Sequence, residues 1–141
     1  METGLLHAHS GLRYLVFLAL ILVLVKSILN VLGKKEWSKG DSKFTMFLMA
    51  FSHLQFLIGL GLYFVKDYQG FFSNMSQNMG VDTFRWAALE HPLTMIIFLI
   101  LVTIMHSVNK RERKNKNRRA LIITISALVT ALSGIPFDRW F

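Results

Sequence analysis

Four stretches of this chain are apolar for long enough to demand a non-aqueous surrounding. They run from about His9 to Leu32, from Phe44 to Val65, from about Trp86 or His91 to Val108, and from about Ala120 to Pro136. A helix needs roughly 20 mostly apolar residues to cross the hydrocarbon core of a bilayer. Inside lipid every backbone N–H and C=O must be satisfied within the protein, which leaves helices as the economical way across. Of the 141 residues, 53% are hydrophobic, and the mean hydropathy is +0.45. Soluble domains of this length rarely carry so much apolar sequence. The expected architecture is therefore all-α, a single transmembrane domain over residues 1–141 folded as an up-and-down four-helix bundle.

The loops orient that bundle. GKKEWSKGDSK carries Lys34, Lys35, Lys39 and Lys43. SVNKRERKNKNRR carries Lys110, Arg111, Arg113, Lys114, Lys116, Arg118 and Arg119, so the two loops hold eleven of the sixteen basic residues. The segment between the second and third spans has Arg85 as its clear base, with Lys66 at its edge. The positive-inside rule puts both basic loops in the cytoplasm and both termini on the outer, periplasmic side. The net charge of +8 then reads as topology rather than as a nucleic-acid surface. Trp37, Tyr63, Tyr68, Trp86 and Trp140 fall near span ends, where amphipathic rings favour the membrane interface. The start METGLL lacks the basic n-region of a cleaved signal peptide, and the first apolar run is too long for its h-region. No cysteine is present, which excludes disulfides, cysteine-ligated clusters and covalent c-type haem.

Four histidines lie in or beside these spans: His9, His53, His91 and His106. Ionisable and metal-ligating side chains are costly at membrane depth and point to function. His9 and His91 both stand at the outer ends of their spans. His53 lies thirteen residues before Lys66, roughly 20 Å below the outer edge, and His106 lies roughly 22 Å below His91 at about 1.5 Å per residue. The spacing predicts an outer pair, His9 with His91, and an inner pair, His53 with His106. Imidazoles on facing helices at matched height are what bis-histidine ligation of haem requires. Fifteen residues leave His91 and His106 about 60° apart around one helix, so that helix can serve two stacked haems. Arg13, one turn from His9 on the same face, is placed to meet a haem propionate or Glu90. His7 reads as a packing or interfacial residue, and Lys26 as a base that snorkels to the inner headgroups. Gly59 and Gly61 remove bulk where a flat ring or a helix can approach. Ser126, Thr130 and Ser133 form a small polar stripe suited to helix packing. Zinc is disfavoured, because the histidine depths are too spread for one ion.

LLHAHSGLRYLV, SHLQFLIGLGLYFV, ALEHPLTM and LSGIPFDRWF resemble a family of short bacterial four-span proteins labelled cytochrome b or cytochrome b-like, and the resemblance covers nearly the whole chain. It implies a b-type haem protein in the bacterial inner membrane that passes electrons to or from quinone. Carried over residue by residue, it supports His9, Arg13, His53, Gln55, Glu90 and His91; His106 rests on depth alone. The expected function is that of a membrane cytochrome with one or two haem b groups, a relay or subunit rather than a complete enzyme. Its partners are the bilayer and other respiratory-chain or membrane-complex subunits, with a homodimer open and no nucleic acid. The alternative is a non-haem structural or accessory subunit of a larger inner-membrane complex, its histidines serving as buried polar glue. A proton-coupled carrier ranks last, because no carboxylate lies within the second or fourth span.

Overall fold

The computed structural model describes residues 1–111 and 115–135; among them there is helix and no strand. Helix α1 runs Glu2–Leu32 and α2 runs Lys39–Val65. A 3-10 turn, Tyr68–Asn74, leads to the short helices α3 (Met75–Asn78) and α4 (Asp82–Arg85). A π-helical segment, Trp86–Glu90, joins α4 to α5 (His91–Lys110), and α6 runs Lys116–Ser133. Helix α1 packs on α2 and α6, and α5 packs on the same two.

Three helical stretches are long and apolar enough to cross a membrane: Glu2–Leu32, Lys39–Val65 and Asp82–Lys110. Helix α6 opens on Lys116, Arg118 and Arg119, which confines its apolar part to residues 120–133. Pro136, where the fourth span was expected to end, lies outside the described residues, as do Arg113, Lys114 and Trp140. Many large apolar side chains face outward, and several polar ones are buried beside an apolar core. Leu18, Ile21, Leu29, Leu57 and Ile100 face outward, while Ser27, Asn30, Asp41, Thr45, Ser52, Asn109 and Thr124 are buried. Large apolar patches on the outside are rare in soluble monomers and normal against lipid.

The core is a column of Val16, Leu20 and Val23 from α1, Leu48 from α2, and Phe98, Val102 and Met105 from α5. Helix α6 closes it with Ala120, Thr124, Ala127 and Ala131, a face of small side chains that lets backbones approach. This face, and not Ser126, Thr130 and Ser133, is the packing stripe. Those three hydroxyls donate back to Ile122, Ser126 and Thr130 carbonyls of their own helix.

Local chemistry sets the ends. Helix α2 begins in a capping box: Ser38 Oγ accepts from the Asp41 N–H at 3.1 Å, and Asp41 accepts from the Ser38 N–H at 3.0 Å. The same buried carboxylate pairs with Lys26 Nζ at 3.0 Å and takes Asn30 Nδ2 at 3.4 Å. Lys26 is thus an ion-pair partner across the α1–α2 contact and not a freely snorkelling base. Trp37 is buried against the core. Phe71 is fully buried between Phe72 and Phe84, with ring centroids 5.5 Å away in each case.

Candidate functional site

Pro92 shapes the site. It has no N–H to give the carbonyl four residues back, Ala88 O. That carbonyl is satisfied instead by Tyr63 Oη, which donates to it at 3.0 Å. The chain widens there into the π-helical segment Trp86–Glu90, where the His91 N–H reaches back to Trp86 O. Such π-bulges recur at functional positions because they turn side chains off the regular helical rows. The side chain delivered here is His91, and Trp86 lies over it with ring centroids 4.9 Å apart.

His91 faces His9. Their ring centroids are 6.3 Å apart and their planes nearly perpendicular, at 81°. Both line a cavity of about 600 Å3 between α1, α2, α5 and the 3-10 and π segments. Its wall is mainly apolar, with Phe17, Phe56 and Ile96, while Tyr68 and Phe72 reach it from the 3-10 turn. His91 Nδ1 donates to Gly134 O at 2.9 Å. A carbonyl only accepts, so that nitrogen carries the proton and Nε2 keeps its lone pair. Gly134 is itself required by space, since a Cβ there would stand 2.6 Å from Met95 Cε and 2.9 Å from Thr94 Oγ1.

His9 is seated by α2. Gln55 Nε2 donates to the His9 carbonyl at 2.9 Å. A Cβ at Gly59 would lie 3.0 Å from His9 Cε1. Gly59 therefore makes room for the imidazole, whereas a Cβ at Gly61 would meet Leu5 at an ordinary 3.9 Å. His9 Nδ1, Ser52 Oγ and Gln55 Oε1 are buried without a hydrogen-bond partner, and all three residues line the cavity. The cations on its wall are Arg13 and Lys66, and no described Asp or Glu lines it. Arg13 also contacts Tyr14, and Lys66 pairs with Glu2 at 3.4 Å. Glu90, an expected partner of Arg13, is held by Arg85 Nε at 2.7 Å.

The inner histidines do not meet. His53 is exposed, its Nδ1 donates to Met49 O at 2.8 Å, and it borders Leu99, Ile100, Thr103 and Ile104. His106 Nδ1 stands 3.0 Å from Thr45 Oγ1, whose own proton goes to Ser42 O at 2.9 Å. Eight residues part Thr45 from His53, about 12 Å along α2. The Tyr63–Ala88 hydrogen bond explains the offset from the expected level. Measured from that common level, His53 lies about 15 Å down α2 and His106 about 27 Å down α5. By the same measure Gly59, against which His9 rests, and His91 lie about 6 and 4.5 Å down, so the outer pair is level.

Sequence reasoning passed over Ser52 and Lys66 as cavity residues, and Gly134 as the partner of His91. A glycine just past a helical run signals a cap, but nothing local reveals which histidine its carbonyl receives. Among the described residues no cluster of three or more His, Asp or Glu side chains could hold a metal ion. No protein-family model, curated protein or solved structure matches the chain.

Proposed function

We propose that this chain is an integral-membrane b-type cytochrome holding one haem between His9 and His91 and relaying electrons. The observation that carries this reading is the pair of imidazoles on one cavity with no third ligand beside them among the described residues. A bare zinc ion takes three or four protein ligands. Two suffice only for a metal that brings its own equatorial ligands, as haem iron does. Two imidazoles on one metal, with bonds of about 2 Å plus the half-width of each ring, have centroids roughly 6 Å apart. The separation of 6.3 Å agrees with this. The cavity of about 600 Å3 is of the size that small-molecule sites occupy.

When bound, the haem supplies one-electron redox chemistry, and the protein sets its potential through ligands, burial and hydrogen bonds. His91 is held in the tautomer that leaves Nε2 free. The mainly apolar wall lowers the polarity around the haem. Arg13 and Lys66 offer positive charge to the two propionates, with Lys66 exchanging its present partner Glu2. His53 and His106 take no part and act as hydrogen-bonded packing residues.

The long helices form an up-and-down bundle across a bacterial inner membrane, with both termini outside and α6 as a short fourth span. The two basic loops and the outward-facing apolar residues support this. The electron partner is a quinone or a subunit of a respiratory complex. The test is a reduced-minus-oxidised absorption spectrum of protein purified in detergent after expression with added haem precursor. A Soret band that shifts on reduction is expected, and a sample without one would end this reading.

A further inference from the structure

Resting on the haem reading, we propose that His9 and His91 present crossed imidazole planes to the iron, and that Trp86 is the positioning residue that keeps them crossed. The two ring planes stand at 81° to one another. Each ring is held by groups outside the pair. The His9 ring faces the main-chain carbonyl of Gln55 and lies against Gly59, where a Cβ would stand 3.0 Å from its Cε1 and 3.4 Å from its Nδ1. His91 is anchored at its Cβ and at Nδ1, which donates to Gly134 O at 2.9 Å. Two anchors leave a planar ring free to swing about the line that joins them. Trp86 stops that swing, because it covers one face of the ring, with centroids 4.9 Å apart and planes 36° apart.

The stack is a product of the π segment. Residues five apart on a regular α-helix stand about 140° apart around the axis, so their rings do not meet. The widened turn, closed by the His91 N–H on Trp86 O, brings the two rings together. The angle between the ligands has an electronic consequence. An imidazole donates π density through the p orbitals normal to its plane, into one of two iron d orbitals of π symmetry. Parallel rings act on the same orbital and split the pair. Crossed rings act on one each and leave the pair nearly degenerate, which preserves orbital angular momentum in the low-spin ferric state. Electron paramagnetic resonance reads this directly. Crossed ligands give a single, strongly shifted low-field feature, and parallel ligands give three resolved rhombic lines.

The experiment records these spectra from oxidised, haem-loaded wild type and from Trp86→Leu, Trp86→Phe and Phe47→Leu in detergent, with Soret absorbance giving the haem content. Wild type is expected to show the single low-field feature. Trp86→Leu removes the flat cover from His91, and its spectrum is expected to gain resolved rhombic lines. Trp86→Phe restores a flat ring and is expected to restore the wild-type line shape. Phe47 stacks on Phe51 on the outward side of α2, away from the cavity, and Phe47→Leu is expected to change nothing. A residue that merely supports the fold alters how much haem is held, not the shape of its signal. Resolved rhombic lines from wild type overturn the crossed planes while leaving the haem site standing. A Trp86→Leu line shape identical to wild type overturns the role of Trp86, as does an equal change in Phe47→Leu. A wild type without a Soret band overturns both the crossed planes and the haem reading. Should Trp86→Leu fail to fold, Trp86→Met, which fills more of the same space without a flat ring, takes its place in the comparison.

Discussion

A methyl group at Gly59 would stand 3.0 Å from His9 Cε1, while one at Gly61 would meet only ordinary contact. With haem at the proposed site, Gly59→Ala should displace the imidazole and lower haem occupancy, at a stability cost of about 1–3 kcal/mol. Gly61→Ala should leave the Soret absorbance per chain unchanged. Retention of full haem occupancy by Gly59→Ala would contradict the seating of His9. Both glycines were visible in the sequence as places where bulk is missing, but only the structure separates them, because the difference lies in what faces each across the α1–α2 contact. Asp41 was legible in another way. Ser38 followed three residues later by Asp41 before an apolar run is a capping signal. Its ion pair with Lys26 and its hydrogen bond from Asn30, eleven residues before it, reach back to α1 and leave no local trace. Asp41→Ala should cost about 2 kcal/mol through loss of the cap and the buried hydrogen bonds, measured as the change in unfolding midpoint in mild detergent.

Helices are where sequence reading did best, since long apolar runs fix three membrane-length elements with little ambiguity. It did worst on register between helices. The expected inner pair was matched from loop ends, and α2 and α5 meet at Tyr63 and Ala88, which no loop boundary marks. An error of two turns was enough to separate His53 from His106. The outer pair survived because both residues lie close to that meeting level. Pro92 directly after His91 is compatible with a helix start or a kink, and neither specifies the π-helical form. Restoring an N–H with Pro92→Ala lets the helix run regularly past Ala88 and turns His91 off the cavity. The variant is expected to keep or gain thermal stability while losing most of its haem. Haem content equal to wild type would show that the π segment does not aim His91. At the end of α1, Lys34 adopts φ 50° as the chain leaves the helix, a conformation that costs an L-residue roughly 1–2 kcal/mol. Lys34→Gly should recover up to about 1 kcal/mol, after the entropy that glycine loses on folding.

Across the whole molecule the interior divides into two polar regions parted by an apolar column. The cavity with His9 and His91 lies at one end. Asp41, Asn30, Thr45 and His106 lie toward the other, with Leu20, Val23, Leu48 and Val102 between. Orientation can be tested cleanly, because the chain has no cysteine. Lys39→Cys should react with an impermeant maleimide only in inverted vesicles, and Ser76→Cys only in right-side-out ones; the reverse pattern would invert the topology. The site itself is tested most directly by absorption spectra of purified wild type and the four single variants His9→Ala, His53→Ala, His91→Ala and His106→Ala. One haem between α1 and α5 requires a Soret band that either His9→Ala or His91→Ala abolishes and that His53→Ala and His106→Ala leave intact. A band that survives both outer substitutions, or that vanishes with an inner one in a folded protein, would contradict it.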